Sequence, residues 1–324
     1  MISGIYENCI ATTNLAEALR YWHEFGYEPI AEGAISAEAA GTLYGHASGL
    51  RSVRLQNGGV TTHGLLRLFV WDELRDDGLG RVPPLTVGGR WFIQNCADIW
   101  LIKDAFDDLA HWGEPYTVTT PARAQMRFPD PANTRPSIVN RRIGVRELMV
   151  LGEEVRQAFF QRYGYVREGY GTINMAAPLK TSEATHSSFI VSDDSHGRFY
   201  VDVLGMVNTN PLHESTGRNP GNAETLMIDP DQAFTIQGYM APGASCGMFQ
   251  FYMPRWKTPD LSARSRPGSR GLTLSTFRVD DIADYHARVQ ASAATAVTPI
   301  VRNEFGEESF SFIAPDGVFW TILA

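Results

Sequence analysis

Internal repetition constrains this chain most, because a repeated pattern of strands and helices has to be built from repeated structural units. Residues 63–74 (HGLLRLFVWDEL), a polar connection and 90–99 (RWFIQNCADI) recur as 246–256 (CGMFQFYMPRW), a similar connection and 271–282 (GLTLSTFRVDDI). Gly64 then matches Gly247 and Asp98 matches Asp281, a spacing of 183. A second match pairs 15–27 (LAEALRYWHEFGY) with 153–165 (EEVRQAFFQRYGY) at a spacing of 138. In the first of these segments Leu15, Ala18, Leu19 and Trp22 fall at helical spacing, Asn14 and Glu17 form a capping-box pattern, and Gly26 ends the helix. In the second, Val155, Ala158 and Phe159 make the same kind of stripe and Gly164 the same stop, which predicts another helix. Each segment follows a β-type run, IYENCIAT or GVRELMVL.

The spacings differ by 45, so the second copy is expected to carry extra chain. That surplus falls around 166–245, where VNTNPLHESTGRNPGN reads as a long loop able to close over a site as a lid. The last unit is the clearest: a strand LTLSTFRV, a helix with Ile282, Tyr285 and Val289 on one stripe, then two alternating runs joined at Ala314-Pro315-Asp316-Gly317. The reading is an α+β chain of four βαβββ-like units in two tandem domains, 1–138 and 139–324.

Composition excludes several functions. The 324 residues suffice for two cores, and 44% hydrophobic with 20% charged residues is ordinary globular usage. A net charge of -8 with no long basic run argues against nucleic acid as a partner. No uncharged apolar stretch reaches the ~20 residues needed to cross a bilayer, and MISGIYENCI lacks the features of a signal peptide, so no membrane partner and a cytoplasmic location are expected. Cys9, Cys96 and Cys246 are widely spaced and odd in number, which reads as reduced thiols in strands. There is no Walker A or dinucleotide-binding fingerprint.

The segments ATTNLAEALRYWHEFGY and FRVDDIADYHARV, with the closing IAPDGVFWTIL, resemble the vicinal oxygen chelate superfamily of glyoxalase I, bleomycin-resistance proteins and extradiol dioxygenases. The resemblance implies curved mixed sheets forming cups, helices on their outer faces, and a small-molecule ligand inside. Strand parity would then turn Leu66, Leu68, Phe249, Phe251 and Met253 toward the helices. Leu65, Arg67, Phe69, Met248, Gln250 and Tyr252 would face the cups.

Members that bind a metal use His or Glu on the first strand and Glu on the last strand of each unit. Here the implied first-strand positions are Glu7, Trp91, Val145 and Leu274, and the last-strand positions are Arg67, Gln250, Thr321 and Ser137. Only Glu7 is a strong ligand, with Glu147 a further carboxylate on the strand of Val145. No metal is therefore favoured, with divalent Fe, Mn or Zn as the alternative. Glu7 and His63 are the candidate catalytic residues; Arg67, Phe69, Trp91, Met248, Gln250, Tyr252 and Thr321 are the candidate substrate contacts. Each aromatic could equally be ordinary core, and Arg67 could equally pair internally with Glu7. Two functions stay open: lyase, isomerase or ring-cleavage chemistry on a small aromatic or oxygenated molecule, or non-catalytic sequestration of such a molecule. A homodimer is the expected assembly.

Overall fold

The computed structural model describes residues 1–127 and 143–324, which form four units. Unit one is β1 (Ile2–Ala11), α1 (Leu15–Glu24), β2 (Tyr27–Ile35), α2 (Ala37–Tyr44), β3 (Leu50–Asn57) and β4 (Leu65–Trp71). Unit two is β5 (Arg90–Cys96), α3 (Ile99–His111), β6 (Thr117–Val118), β7 (Ala122–Arg127), β8 (Ile143–Leu151) and β9 (Arg156–Tyr163). Unit three is β10 (Thr181–Ile190), α4 (Gly197–Asp202), β11 (Val207–Thr216), α5 (Asn222–Leu226), β12 (Ala233–Met240) and β13 (Met248–Pro254). Unit four is β14 (Gly271–Val279), α6 (Ile282–Gln290), β15 (Val301–Arg302), β16 (Glu308–Ile313) and β17 (Phe319–Leu323). The helix starts follow local chemistry: Asn14 Oδ1 accepts from the Glu17 amide, Asp98 from Trp100 and Asp281 from Asp284. No helix of the described residues is long and apolar enough to cross a membrane.

The units pair one with four and two with three. The first sheet runs β15-β16-β17-β14-β1-β4-β3-β2, and the second β11-β12-β13-β10-β5-β9-β8-β6 with β7 on β8. In each sheet the central strand of one unit is antiparallel to that of its partner, β1 to β14 and β10 to β5. This corrects the expected division. The boundary at 138/139 lies outside the described residues, and neither 1–138 nor 139–324 completes a sheet by itself. The connections 72–89 and 255–270 carry the chain from one sheet to the other, so β1 finds its partner at the far end of the sequence.

The 183 spacing matches β4 to β13, β5 to β14 and the capping aspartates of α3 and α6. The 138 spacing matches unlike elements, because 156–163 is a strand and not a helix. RQAFFQRY satisfies both periodicities. Alternation wins because β9 lies between β5 and β8, where its backbone groups are paired on both edges and Phe159 packs toward the helices while Phe160 faces the other way. With that match gone, so is the insertion: residues 181–254 are unit three itself. The supposed lid loop is edge strand β11, antiparallel to β12, with Pro211 tolerated because an edge strand has one unpaired side.

The helices cover the outer faces, and the two sheets pack back to back through them. Trp22 of α1 and Phe25, which caps it, share one core with Leu66 and Leu68 of the first sheet and pack on Phe92 and Phe159 of the second. On the other side Tyr200 of α4 packs on Phe249, Phe251 and Trp320. Leu66, Leu68, Phe249, Phe251 and Met253 lie in these helix-side cores. The inner faces of both sheets are left to form the cups.

Where the sheets meet, the backbones come too close for side chains. Gly64 has φ +68, and a Cβ there would sit 2.3 Å from the Ala184 carbonyl oxygen. Gly64→Ala is expected to destabilise the fold by more than ~1 kcal/mol, measured by urea unfolding, since strain at positive φ and a backbone clash add. An unchanged midpoint would contradict the close seam.

Candidate functional site

The first cup is filled by its own charges. Arg67 donates to both oxygens of Glu7 and, through Nη1, to Glu304 at 3.3 Å and the Tyr44 hydroxyl at 3.2 Å. Arg54 Nε is 2.5 Å from Glu7, and its two terminal nitrogens reach Glu307 at 2.9 and 2.7 Å. Thr276 donates to Glu7 at 3.0 Å, and the Phe305 ring lies 4.2 Å from the Arg54 guanidinium. Glu7 and Arg67 are wholly buried. Burial opposes the charge on Arg67, but Glu7, Tyr44 and Glu304 outweigh it and hold the guanidinium well above its usual pKa. The roles expected of Glu7 as base and Arg67 as anion holder are therefore corrected: each neutralises the other. Phe69 packs in the same core against Tyr44, ring centroids 5.6 Å apart, and Thr321 shares a 2.7 Å hydrogen bond with Ser311. Neither is open to a ligand.

The second cup holds a cavity of about 360 Å³. Met248, Gln250 and Tyr252 of β13 line one side, Phe160 and Arg162 of β9 the other, with Glu147 of β8 between strands. Trp91 lies beneath as the packing partner of Tyr252, ring centroids 5.2 Å apart. Burial raises the Glu147 carboxyl from the usual 4.5 to about 7, with Arg162 pulling it back. Among the described residues no hydrogen bond or ion pair claims that carboxylate. Arg162 is held by Asn95 and lies 4.7 Å from the Tyr170 ring, while Arg167 lies 3.9 Å from the same ring, so two cations border the cavity. His186 is buried, with Nδ1 2.5 Å from the Tyr170 hydroxyl. Burial, Arg162 and Arg167 together lower its pKa to about 3, so the ring is neutral.

Sequence reasoning thus brought Met248, Gln250 and Tyr252 together but divided the rest. His63 is in neither cup; it sits at the seam, Nε2 3.1 Å from Glu183. Arg162, Arg167, Tyr170 and His186 were missed. Gly243-Ala244-Ser245-Cys246-Gly247 also has the G-x-S-x-G spacing of a hydrolase nucleophile turn. It opens a strand and not a helix, and Ser245 Oγ donates to the Gly169 carbonyl at 2.7 Å, so it is no nucleophile elbow.

No protein-family model and no curated protein sequence matches this chain. Solved structures do. Glyoxalase I from Zea mays superposes over 100% of this chain and 92% of its own, with TM-score 0.56 at 13% identity. A Bacillus subtilis protein provisionally named a dioxygenase covers 99% of this chain and 84% of its own, with TM-score 0.57 at 10% identity. This chain has the vicinal oxygen chelate fold. Glu7 faces Leu65 and His186 faces Met248, each beside the first residue of its unit's last strand. Val145 lies in β8 and not on its unit's first strand, and unit three opens with β10, which carries His186; Ser137 falls outside the described residues. The donor chemistry does not fit a resident metal in either cup. In the first, Glu7 is saturated by two guanidiniums. In the second, Glu147, His186 and His213 line the cavity, but among the described residues their ligand atoms do not converge, and Arg162 and Arg167 set a field that repels cations.

Proposed function

We propose that this protein binds a small, oxygenated, anionic molecule with an apolar or aromatic body in the second cup and moves a proton on it, as an isomerase or lyase does. The observation that carries the reading is Glu147, a carboxyl whose pKa of about 7 suits a general base near neutral pH, facing a cavity bordered by Arg162 and Arg167. Phe160, Phe234 and Tyr252 supply flat apolar walls. The guanidiniums would take a carboxylate or enolate oxygen of the ligand. Glu147 would accept a proton from the carbon next to a carbonyl, the C–H electron pair moving toward the carbonyl oxygen, whose growing negative charge the arginines offset. Ring cleavage draws no support from this donor set.

Sequestration of the same ligand is the second reading, favoured by the neutral His186, which is tied to Tyr170 and offers no obvious proton return. A thermal-shift screen of small aromatic and aliphatic keto and hydroxy acids, followed by exchange of ligand hydrogen for solvent deuterium on each hit, separates them. Binding with exchange supports the enzyme; binding without exchange supports sequestration. Failure of all anionic ligands to bind overturns both. Three free, buried cysteines support a reducing, cytoplasmic setting.

A further inference from the structure

Outside both cups, three metal-ligating side chains converge at the seam between the sheets. His63 precedes β4, Glu183 lies in β10 and Cys246 precedes β13, and their ligand atoms lie within 4.8 Å of one another. None of the three lines the cavity of the second cup.

The repeat explains the meeting. His63 and Cys246 stand at matching positions, each just before the glycine that leads into its unit's last strand. Each glycine bonds a strand of its own sheet through its amide and a strand of the opposite sheet through its carbonyl. The Gly64 amide donates to the Ile5 carbonyl and the Gly247 amide to Thr185; the Gly64 carbonyl accepts from Ala184 and that of Gly247 from Ile5. Because each glycine carbonyl reaches across to the other sheet, the residues before the glycines come to the same place from opposite sides. Glu183, beside Ala184 on β10, completes the set.

The donors are prepared for coordination. Glu183 and Cys246 are buried, while the His63 side chain keeps 23% exposure, which leaves a path from solvent. The second Glu183 oxygen accepts from the Thr172 amide at 2.9 Å, and His63 Nδ1 meets the Thr62 hydroxyl at 3.0 Å, contacts that orient a carboxylate and an imidazole. One sulfur, one nitrogen and one carboxylate oxygen suit tetrahedral zinc. Magnesium and calcium prefer all-oxygen sets.

We propose that His63, Glu183 and Cys246 bind one zinc-class divalent ion, with solvent in the fourth position, and that this ion staples the first sheet to the second. On binding, the Cys246 S–H proton leaves to solvent as the sulfur–metal bond forms, with no change of oxidation state. Because His63 comes from the first sheet and the other two ligands from the second, binding favours the docked sheets over the unfolded chain.

The test uses the full chain stripped of metal with a chelator and titrated with Co²⁺, then Zn²⁺. The expected result is one equivalent of cobalt with near-ultraviolet thiolate-to-cobalt charge-transfer absorption, displaced by zinc, and a melting temperature raised by several degrees with zinc. Cys246→Ser should abolish the absorption, and His63→Ala should weaken zinc at least about tenfold and lose the melting-temperature rise on adding zinc, each variant being compared with its own metal-free form. Absence of the absorption in the wild type, or its persistence in Cys246→Ser, overturns the proposal. Should Cys246→Ser not fold, unchanged zinc affinity in the partly exposed His63→Ala overturns it equally.

Discussion

Glu147→Gln is expected to lower turnover of any ligand processed in the second cup by about 10²–10⁴-fold while leaving that ligand bound, because the amide keeps the shape of the carboxyl but cannot take a proton. Two further readouts separate this from a general structural effect. Wild-type turnover should climb as pH rises through about 7 and then level, following ionisation of Glu147, and the residual rate of the variant should lack that step. Stability should move the other way. The folded-state pKa lies above the usual 4.5, so the contribution of protonated Glu147 is fully present below that value and is lost as pH rises through about 7. At pH 8 the wild type carries a half-buried carboxylate that the variant lacks, and urea unfolding should find Glu147→Gln the more stable of the two. A variant that keeps its turnover would remove Glu147 from the chemistry, and one that loses turnover and stability together would make it a packing residue.

Much of this fold was legible from the chain. Asn14 announced the first helix because a side-chain cap is a local event, and the 183 spacing survived because β4 and β13, and the capping Asp98 and Asp281, meet the same demands in equivalent places. Pairing of units was not legible. Nothing local tells β1 to choose β14 over β5, since either offers an apolar strand, and the decision rests on where the connection 72–89 takes the chain. The run 156–163 failed for a different reason: eight residues admit both a helical stripe and an alternation, and the strands on either side decide. That error hid the site. Placing unit three's first strand at 145 concealed β10 and with it His186, and reading 156–163 as a helix dissolved the face that carries Phe160 and Arg162. A signal was present in the Ser/Thr-rich run TSEATHSSFI, which lies before β13 much as β1 lies before β4.

Arg67→Met is expected to cost about 3–5 kcal/mol of folding stability at pH 7, read from urea unfolding, because it strands buried carboxylates without their partner. The charge arithmetic sharpens the prediction. Glu7, Glu304 and Glu307 face two guanidiniums, Arg54 and Arg67, so the network carries a net -1 in a site where Arg67 and Glu7 see no solvent. Removing Arg67 leaves -2; removing Glu7 as well, in Glu7→Gln/Arg67→Met, returns the network to -1. The double variant should therefore be more stable than Arg67→Met alone, with a coupling of roughly 0.5–3 kcal/mol, whereas additive losses would show that the pair is not the unit of stability. Neither substitution should change ligand binding in the second cup, whose cavity is lined by other residues. The two cups start from the same strand frame and diverge in the charges they hold: Glu7 and Arg67, joined by Arg54, Glu304 and Glu307, close the first, while His186 and Gln250 at the corresponding strand positions leave the second open.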